Sequence, residues 1–422
     1  MKKVWALLLG CMVSLTSCSI PGLSPDDGGE TPGGETPKVN DMLYGMCYLQ
    51  EERENFELHV DEDVELMYNL GVGCTRNWMH ATSMLTSKGT VNRVEADKMH
   101  LALTKQKERG FKLIGMSHAT FNKGTVRSGK PARDLSEDSY YIEWLNDYYV
   151  TWKTLAKEFP EIDYWEIDNE VNNSDFMKDI YGNVVYTIDE MADIATDMFY
   201  YASRAIHSVN KKAKTVMGGI TEPMGLGHGE NVQFMESLYQ NIKSGEFGYM
   251  YGLEPQSKAT TDPDDYFEIA CWHPYVWTAF DADYFVQEND KIYNVVKKYE
   301  PEGKDVFLTE IGWHNLSHGH TEEKAAEYLE EMFTAVKERM PYVKTVSYFK
   351  MYDVGKASWE GAYSRFGLFY DPHENRKYTS ELGDDTTTFL QNGAPKPIAY
   401  AYQKVAGGSG SLTLLCDKEK EE

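Results

Sequence analysis

Three segments between residues 164 and 221 decide the predicted fold: YWEIDNEVN at 164–172, TIDEMADIATDMFYYASRAIHSVN at 187–210 and TVMGGIT at 215–221. The first and third are short apolar runs typical of buried strands, whereas the second carries apolar residues at helical spacing. Thr187 with Glu190 three residues later is typical of a helix start. A strand, a helix and a strand in this order predict two parallel strands joined by a crossover helix.

The same pattern recurs along the chain. Apolar runs that read as buried strands begin near Leu43, Gly73, Lys112, Tyr164, Thr215, Glu268, Val306 and Val343. Eight such units within residues 41–406 predict the α/β class, as a single (β/α)8 TIM barrel with enlarged βα loops. An open doubly wound sheet is the alternative, but its glycine-rich turn follows the first strand. Here the glycine-rich segment 225–229 follows the fifth strand, and we interpret it as a flexible loop.

Both ends of the chain are predicted to lie outside the barrel. Residues 1–17 combine a basic start with an apolar run, as in secretory signals, and Leu-Thr-Ser before Cys18 resembles the lipobox of bacterial lipoproteins. An ordinary cleaved signal is the alternative. Lipidation of Cys18 would anchor the protein to the bacterial cell envelope, which we expect to be the outer membrane, at its periplasmic or cell-surface face. Residues 18–40, rich in Gly, Pro and acidic side chains, predict a flexible tether, and 407–422 a loose C-terminal tail.

Composition excludes some partners. The 422 residues carry a formal net charge of −25, which argues against nucleic acid and against direct contact with anionic lipid. Contact with a membrane is therefore expected only through the N-terminal lipid. The chain also holds 29 Tyr and 9 Trp, of which most are expected to fill the core. A surplus of aromatic side chains also suits the apolar faces of sugar rings. We expect a monomer.

Two predicted strands end in a carboxylate. Glu170 ends the fourth strand, and Glu310 lies in DVFLTEIGWH at 305–314, the seventh. Burying a charge is costly, so a carboxylate at the end of a buried strand is uncommon. One alone would more often be a helix cap or a surface residue. Two of them favour a shared site, because catalytic groups of such barrels lie at the carboxyl ends of the strands.

These segments resemble the strand-four and strand-seven motifs of the clan A glycoside hydrolases: Trp-Glu-Ile-Asp-Asn-Glu at 165–170 and Thr-Glu-Ile-Gly-Trp at 309–313. The resemblance covers nearly the whole folded part, with family 39 most similar and family 5 next. It implies a retaining hydrolase that cleaves β-type O-glycosidic bonds of a poly- or oligosaccharide by double displacement, without a cofactor. Glu170 would be the general acid/base and Glu310 the nucleophile.

The resemblance also implies substrate-binding and supporting residues. Most share a position at a strand end, and one lies in a later loop: Arg76, His118, Asn169, His273, Tyr275, Trp313 and Trp359. Asn169 would bond the sugar 2-hydroxyl, Tyr275 would hold the nucleophile, and Arg76 would keep it ionised. An adjacent positive charge lowers the pKa of a carboxyl group, so the two glutamates can differ in protonation at one pH.

The chain also departs from the clan pattern. Val171 follows the acid/base, where many members have Pro, and the eighth strand lacks the usual sugar-stacking Trp. Phe349, Tyr352 or Trp359 would take its place. Of two further acids on strand four, Glu166 is expected to form a structural ion pair, and Asp168 has no assigned role.

Other function classes fit less well. His318 and His320 lie in a polar loop without acidic ligands at metal-binding spacing, so no metal site is predicted. A cofactor-dependent barrel enzyme would need a phosphate-binding motif. A non-catalytic glycan-binding lipoprotein on the same barrel is the main alternative. The presence of both glutamates together with Asn169, Arg76 and Tyr275 favours the enzyme.

Overall fold

Eight parallel strands form a closed barrel in the computed structural model, which describes residues 41–48, 56–118, 129–253, 258–313, 321–353, 365–372 and 393–413. The strands are β1 (Leu43–Tyr48), β2 (Cys74–Trp78), β3 (Lys112–Ser117), β4 (Tyr164–Asn169), β5 (Lys214–Thr221), β6 (Ala270–His273), β7 (Val306–Ile311) and β8 (Val343–Tyr348). Each strand pairs with its neighbours in sequence, and β8 closes on β1. The predicted (β/α)8 fold is confirmed, because every predicted strand start lies within two residues of the observed one.

Helices pack around the barrel. They are α1 (Val60–Leu70), α2 (Ala81–Met84), α3 (Arg93–Glu108), α4 (Tyr140–Glu158), α5 (Ile188–Val209), α6 (Glu230–Ser244), α7 (Ala282–Tyr299), α8 (Glu322–Arg339) and α9 (Pro397–Ala406). The predicted capping box at the start of α5 is present. Thr187 Oγ1 accepts a hydrogen bond from the Glu190 backbone, and the Glu190 carboxylate accepts one from the Thr187 backbone at 2.8 Å. A short hairpin, Leu85–Ser87 with Thr90–Val91, lies between α2 and α3.

Strand register brings polar side chains together inside the carboxyl end of the barrel. Arg76 on β2 lies between Cys47 on β1 and Ile114 on β3. Asn169, the last residue of β4, pairs with Gly219 on β5. A Cβ atom on Gly219 would lie 2.1 Å from the His273 ring, so only glycine leaves room for that ring at this level.

The start of the C-terminal segment differs from the expected loose tail. Gly407 ends α9 in the left-handed conformation, and the chain then packs against α1. Asn69 donates a hydrogen bond to the Ser411 carbonyl at 3.0 Å, and Leu412 is buried in the core. The glycines, which suggested looseness in the sequence, allow this close approach, because Gly408 lies directly on the backbone of Leu70.

Several predictions fall outside the described residues. These are the signal peptide 1–17, the lipidated Cys18, the tether 18–40, and residues 414–422 of the tail. Among the helices that the structure describes, none is both long enough and apolar enough to cross a membrane.

Candidate active site

Arg76 lies at the centre of the polar cluster. Its guanidinium is fully buried and donates two hydrogen bonds of 2.7 Å to the carboxylate of Glu166. It also donates to Asn169 Oδ1 at 2.7 Å and to Glu310 Oε1. Burial alone would lower the pKa of Arg76, but the charges of Glu166 and Glu310 raise it well above its usual value. The site therefore contains a permanent positive charge, and the predicted structural ion pair of Glu166 is present.

Glu310 is held in its ionised form. The Tyr275 hydroxyl donates to Glu310 Oε2 at 2.9 Å, while Arg76 binds the other oxygen. Burial by itself would raise the pKa of Glu310, but His273, Arg76 and the Tyr275 hydrogen bond together lower it below its ordinary value. Burial and the neighbouring Glu310 charge raise the pKa of Tyr275 well above its usual value, so Tyr275 remains a proton donor in this bond.

Glu170 faces Glu310 across the barrel end. One oxygen of each carboxylate and one nitrogen of His273 lie within 4.8 Å of one another. His273 Nδ1 is 3.2 Å from Glu170 Oε1, and Asn173 donates to Glu170 Oε2 at 2.8 Å. The side chain of Glu170 is more exposed than that of Glu310, 12% against 7%. The two glutamates thus share one site but differ in their partners, because among the described contacts Glu310 binds the Arg76 guanidinium, whereas Glu170 contacts the Asn173 amide and the His273 imidazole.

Thr309 and Asn173 are partners that sequence reasoning missed. Thr309 Oγ1 donates to Glu166 at 3.2 Å, so it accepts the hydrogen of His273 Nε2, which is 2.9 Å away. It thereby fixes the His273 ring. In the sequence, only the positions of these two residues point to the site. Thr309 directly precedes Glu310. Asn173 closes a turn three residues after Glu170, and its backbone N–H donates to the Glu170 carbonyl at 2.8 Å.

His118 lies in a second polar cluster beside the first. Its Nδ1 is 3.1 Å from Asp168 Oδ1, and its ring stacks between those of His80 and Phe176 with centroid distances of 5.4 and 5.2 Å. Asp168, which had no assigned role, is fully buried and pairs with Lys130 at 3.0 Å. The structure therefore places His118 at the end of β3, as predicted, and adds a buried cation that the sequence did not indicate.

The aromatic side chains considered for sugar stacking are buried, partly exposed or outside the described residues. Trp313, two residues beyond β7, is buried and packs on Phe280 and Tyr328. Tyr352 is also buried, and its hydroxyl donates to Asp63 at 2.6 Å. Trp359 lies outside the described residues. Partly exposed rings at the barrel end are those of Phe349, directly after β8, and Trp277, which stacks on Tyr275.

The glycine-rich segment after β5 differs from the expected flexible loop. Its backbone wraps around the buried carboxylate of Glu222, which accepts hydrogen bonds of 2.6–3.1 Å from the N–H groups of Gly227, His228, Gly229 and Asn231. Gly225, Gly227 and Gly229 all have positive φ, which lets successive N–H groups point to one anion. A carboxylate of the chain itself therefore fills this anion-binding turn.

Two sets of side chains in the described part of the chain have donor atoms spaced as metal ligands. They are Glu166 with Cys271 and His273, and Glu170 with His273 and Glu310. Both sets belong to the hydrogen-bonded cluster already described, where Arg76 and Tyr275 bind the carboxylate oxygens. Burial raises the pKa of the Cys271 thiol well above its usual value, so that this thiol is a poor metal ligand. The pair His318 and His320 lies outside the described residues.

Comparison with known proteins places this site in a family. The model of the cellulase family, glycosyl hydrolase family 5, matches residues 61–360. That stretch includes Arg76, Glu170 and Glu310. The match puts family 5 ahead of family 39, the reverse of the order that the motifs gave. None of the curated protein sequences matches the chain.

Solved structures share the fold. A family 39 glycoside hydrolase from Bacteroides cellulosilyticus is 14% identical with a TM-score of 0.56, over 88% of this chain and 65% of that one. A family 5, subfamily 18 protein from Streptomyces cattleya, in complex with GlcNAc, is 12% identical with a TM-score of 0.57, over 88% and 80%. The family 1 β-glucosidase of Thermotoga maritima is 15% identical with a TM-score of 0.52, over 90% and 100%.

The chain spans just under two thirds of the length of the family 39 protein. Identities this low show only a common fold. The family model, in contrast, covers more than half of the chain and shows that the chain is a member of that family. The chain therefore belongs to glycosyl hydrolase family 5 and is an O-glycosyl hydrolase of clan A.

Proposed function

We propose that the protein is a retaining hydrolase of β-linked poly- or oligosaccharides, with Glu310 as nucleophile and Glu170 as general acid/base. The observation that carries the proposal is the spacing: one oxygen of Glu170 and one oxygen of Glu310 lie within 4.8 Å of each other. Retaining enzymes hold their carboxyl groups about 5–5.5 Å apart, whereas inverting enzymes need about 6.5–9.5 Å to admit a water molecule.

The charges support this division of roles. Arg76 and Tyr275 hold Glu310 as a carboxylate, which can attack the anomeric carbon and form a glycosyl-enzyme. Glu170 contacts no arginine or lysine among the described hydrogen bonds and stands beside the same centre, where it protonates the leaving oxygen. In the second half of the reaction Glu170 takes a proton from water, which then releases the sugar from Glu310.

His273 holds Glu170 in place. Its Nε2 lies 2.9 Å from Thr309 Oγ1 and its Nδ1 lies 3.2 Å from Glu170 Oε1, so the imidazole ring bridges Thr309 and the proposed acid/base. Tyr275 and Asn169, bound to Glu310 and Arg76 respectively, keep the sugar-facing side of the site in place.

The inner sugar subsite is proposed to use Phe349 as its platform. Phe349 directly follows β8, is partly exposed, and its ring packs edge-on against Phe366 with centroids 6.0 Å apart. His118 and Asn169 would bond the sugar hydroxyl groups. Similar folds include a protein bound to GlcNAc and a β-glucosidase, which supports a β-linked hexose as substrate.

Product stereochemistry tests the proposal. We expect NMR spectra taken in the first minutes of hydrolysis of a β-linked substrate to show the β-anomer of the product, before mutarotation. Initial release of the α-anomer would contradict the double displacement. If the protein bound glycans but cleaved no β-linked substrate, it would instead be a non-catalytic glycan-binding protein, the main alternative from the sequence.

We also propose that Cys18 carries a lipid and that residues 18–40 tether the barrel to the outer membrane. The support is the sequence alone, from the apolar run to the acidic, glycine-rich stretch before Asp41.

A further inference from the structure

A buried ion pair lies directly behind the loop that carries Glu170. Lys130 Nζ is 3.0 Å from Asp168 Oδ2, and the two side chains are 2% and 1% exposed. Lys130 Nζ also donates to the Phe176 carbonyl at 3.0 Å. Neither charge takes part in the double displacement, and neither contacts Arg76 in the described hydrogen bonds.

Asp168 fixes the path of the backbone at the end of β4. Its Oδ1 accepts a hydrogen bond of 2.9 Å from the Asn169 backbone N–H and lies 3.1 Å from His118 Nδ1. Asp168 and Glu170 both have positive φ, 68° and 46°, a conformation that side-chain-bearing residues rarely adopt. Such a conformation persists where the surroundings impose it, and at Asp168 the side chain bonds the next residue of the same turn.

Lys130 connects this turn to two loops. Its backbone N–H donates to the Lys178 carbonyl, and its own carbonyl accepts from the Tyr186 hydroxyl, each at 2.8 Å. Residues 178 and 186 belong to the segment between Glu170 and α5. The Phe176 ring, next to the carbonyl bound by Lys130, stacks on His118. One ammonium group thereby holds the loop after β3, the loop after β4 and the end of β4 together.

The carboxylate of the pair stays ionised at neutral pH. Burial would raise the pKa of Asp168, but Lys130 and His118 lower it to about 2. Removing one partner leaves an uncompensated buried charge. A charged pair of this kind fixes the orientation of its two side chains, whereas apolar packing in the same space does not.

We propose that Lys130 and Asp168 are positioning residues for Glu170: they hold the backbone from Asp168 to Phe176 so that the Glu170 carboxyl group points to the leaving oxygen. The inference rests on the proposed acid/base role of Glu170. It predicts a defect in proton donation, and not a uniform loss of activity.

The test compares two substrates that differ only in their need for a proton. They are the 2,4-dinitrophenyl and phenyl β-glycosides of the sugar that the wild type releases. Dinitrophenolate departs without protonation, whereas the phenyl group needs the acid, which contributes roughly 10²–10⁴-fold. The readout is the ratio of kcat/KM for the two substrates. Because both are measured on one sample, the ratio is independent of the fraction of folded enzyme.

Asp168→Asn and Lys130→Met are expected to lower kcat/KM on the phenyl glycoside at least tenfold more than on the dinitrophenyl glycoside. Lys130→Arg keeps the charge and should restore part of the ratio. The matched control is Asp197→Asn, which breaks the ion pair of another buried carboxylate, with Arg133 at 2.8 Å; Arg133 lies in the same loop as Lys130. Asp197 lies on α5, so this variant should lose stability and keep the wild-type ratio.

Wild-type ratios in both Asp168→Asn and Lys130→Met would overturn the inference while leaving the proposed function intact. The same loss of ratio in Asp197→Asn would also overturn it, because any destabilised barrel would then behave alike. If neither Lys130→Met nor Asp168→Asn folds, Asp168→Glu decides: it keeps the charge but displaces the carboxylate that accepts from the Asn169 backbone N–H, and a wild-type ratio in this variant counts against the inference. A wild type inactive on every β-glycoside would instead refute the proposed function itself.

Discussion

Arg76 and Tyr275 determine how the two glutamates differ. Both oxygens of Glu310 accept hydrogen bonds, one from a guanidinium and one from a phenol, whereas Glu170 accepts from Asn173 and faces His273. Two identical side chains thereby obtain different environments within one site. This asymmetry permits one group to be protonated while the other is ionised.

Replacement of Tyr275 by Phe should shift the acidic limb of the pH profile. The variant loses the hydrogen bond to Glu310 and keeps the ring that stacks on Trp277. A hydrogen bond to an ionised acceptor lowers the pKa of that acceptor, so its loss raises the pKa of Glu310. We expect the acidic limb of kcat/KM to move to higher pH. We also expect kcat/KM to fall by roughly 10- to 100-fold, since such a bond contributes about 1.5–3 kcal/mol. An unchanged acidic limb would show that Tyr275 does not control the ionisation of Glu310.

At the scale of single residues, much of the site was predictable. Arg76 and Glu310 lie within strands and Glu170 directly follows one, so strand register brings these three together. Lys130 was not predictable, because it reaches Asp168 from an irregular loop 38 positions earlier in the chain. The directions of Tyr275 and Trp313, each two residues beyond a strand, depend on packing, for Trp313 against Phe280 and Tyr328.

Among the elements, the turn between β5 and α6 shows how a loop rich in glycine becomes ordered. Its composition predicts flexibility, yet four backbone N–H groups converge on the buried carboxylate of Glu222. The sequence indicates glycines that can adopt positive φ, but it does not show that a nearby carboxylate will bind their N–H groups. The strands and helices were easier to predict, because the periodicity that indicates them lies within each short segment of the sequence.

Replacement of Glu222 by Ala should therefore destabilise the protein. The four N–H groups would lose a charged acceptor while lying in a part-buried turn, and burial of unsatisfied donors costs free energy. We expect the free energy of unfolding in urea to fall by about 2–4 kcal/mol. Glu230→Ala, at the partly exposed start of α6, is the control and should change the free energy of unfolding by less than about 1 kcal/mol. A Glu222→Ala variant as stable as that control would show that the carboxylate does not order the turn.

For the whole molecule, the proposed anchor and the barrel are separable. The 22 residues between Cys18 and Asp41 are rich in Gly, Pro and acidic side chains. A flexible coil of this length spans about 25 Å, which would let the mouth of the barrel turn toward an insoluble or cell-bound glycan. The net charge of −25 would keep the barrel away from an anionic membrane surface.

Cys18→Ser is therefore expected to move the protein from washed membranes to the soluble fraction in its native host. Its kcat and KM on a soluble oligosaccharide should equal those of the wild type, because none of the proposed active-site residues belongs to the anchor or the tether. Fractionation followed by immunoblotting measures the first effect, and initial rates measure the second. If the variant remained with the membranes, another part of the chain would have to hold it there.

The central claim is that Glu310 attacks the sugar while Glu170 handles the proton. Azide products test it most directly, with Glu310→Ala and Glu170→Ala incubated separately with a 2,4-dinitrophenyl β-glycoside and azide. Without the nucleophile, azide should attack the substrate itself and give the α-glycosyl azide. Without the acid/base, azide should attack the glycosyl-enzyme on Glu310 and give the β-glycosyl azide. The same anomer from both variants, or wild-type hydrolysis by Glu310→Ala, would contradict the account.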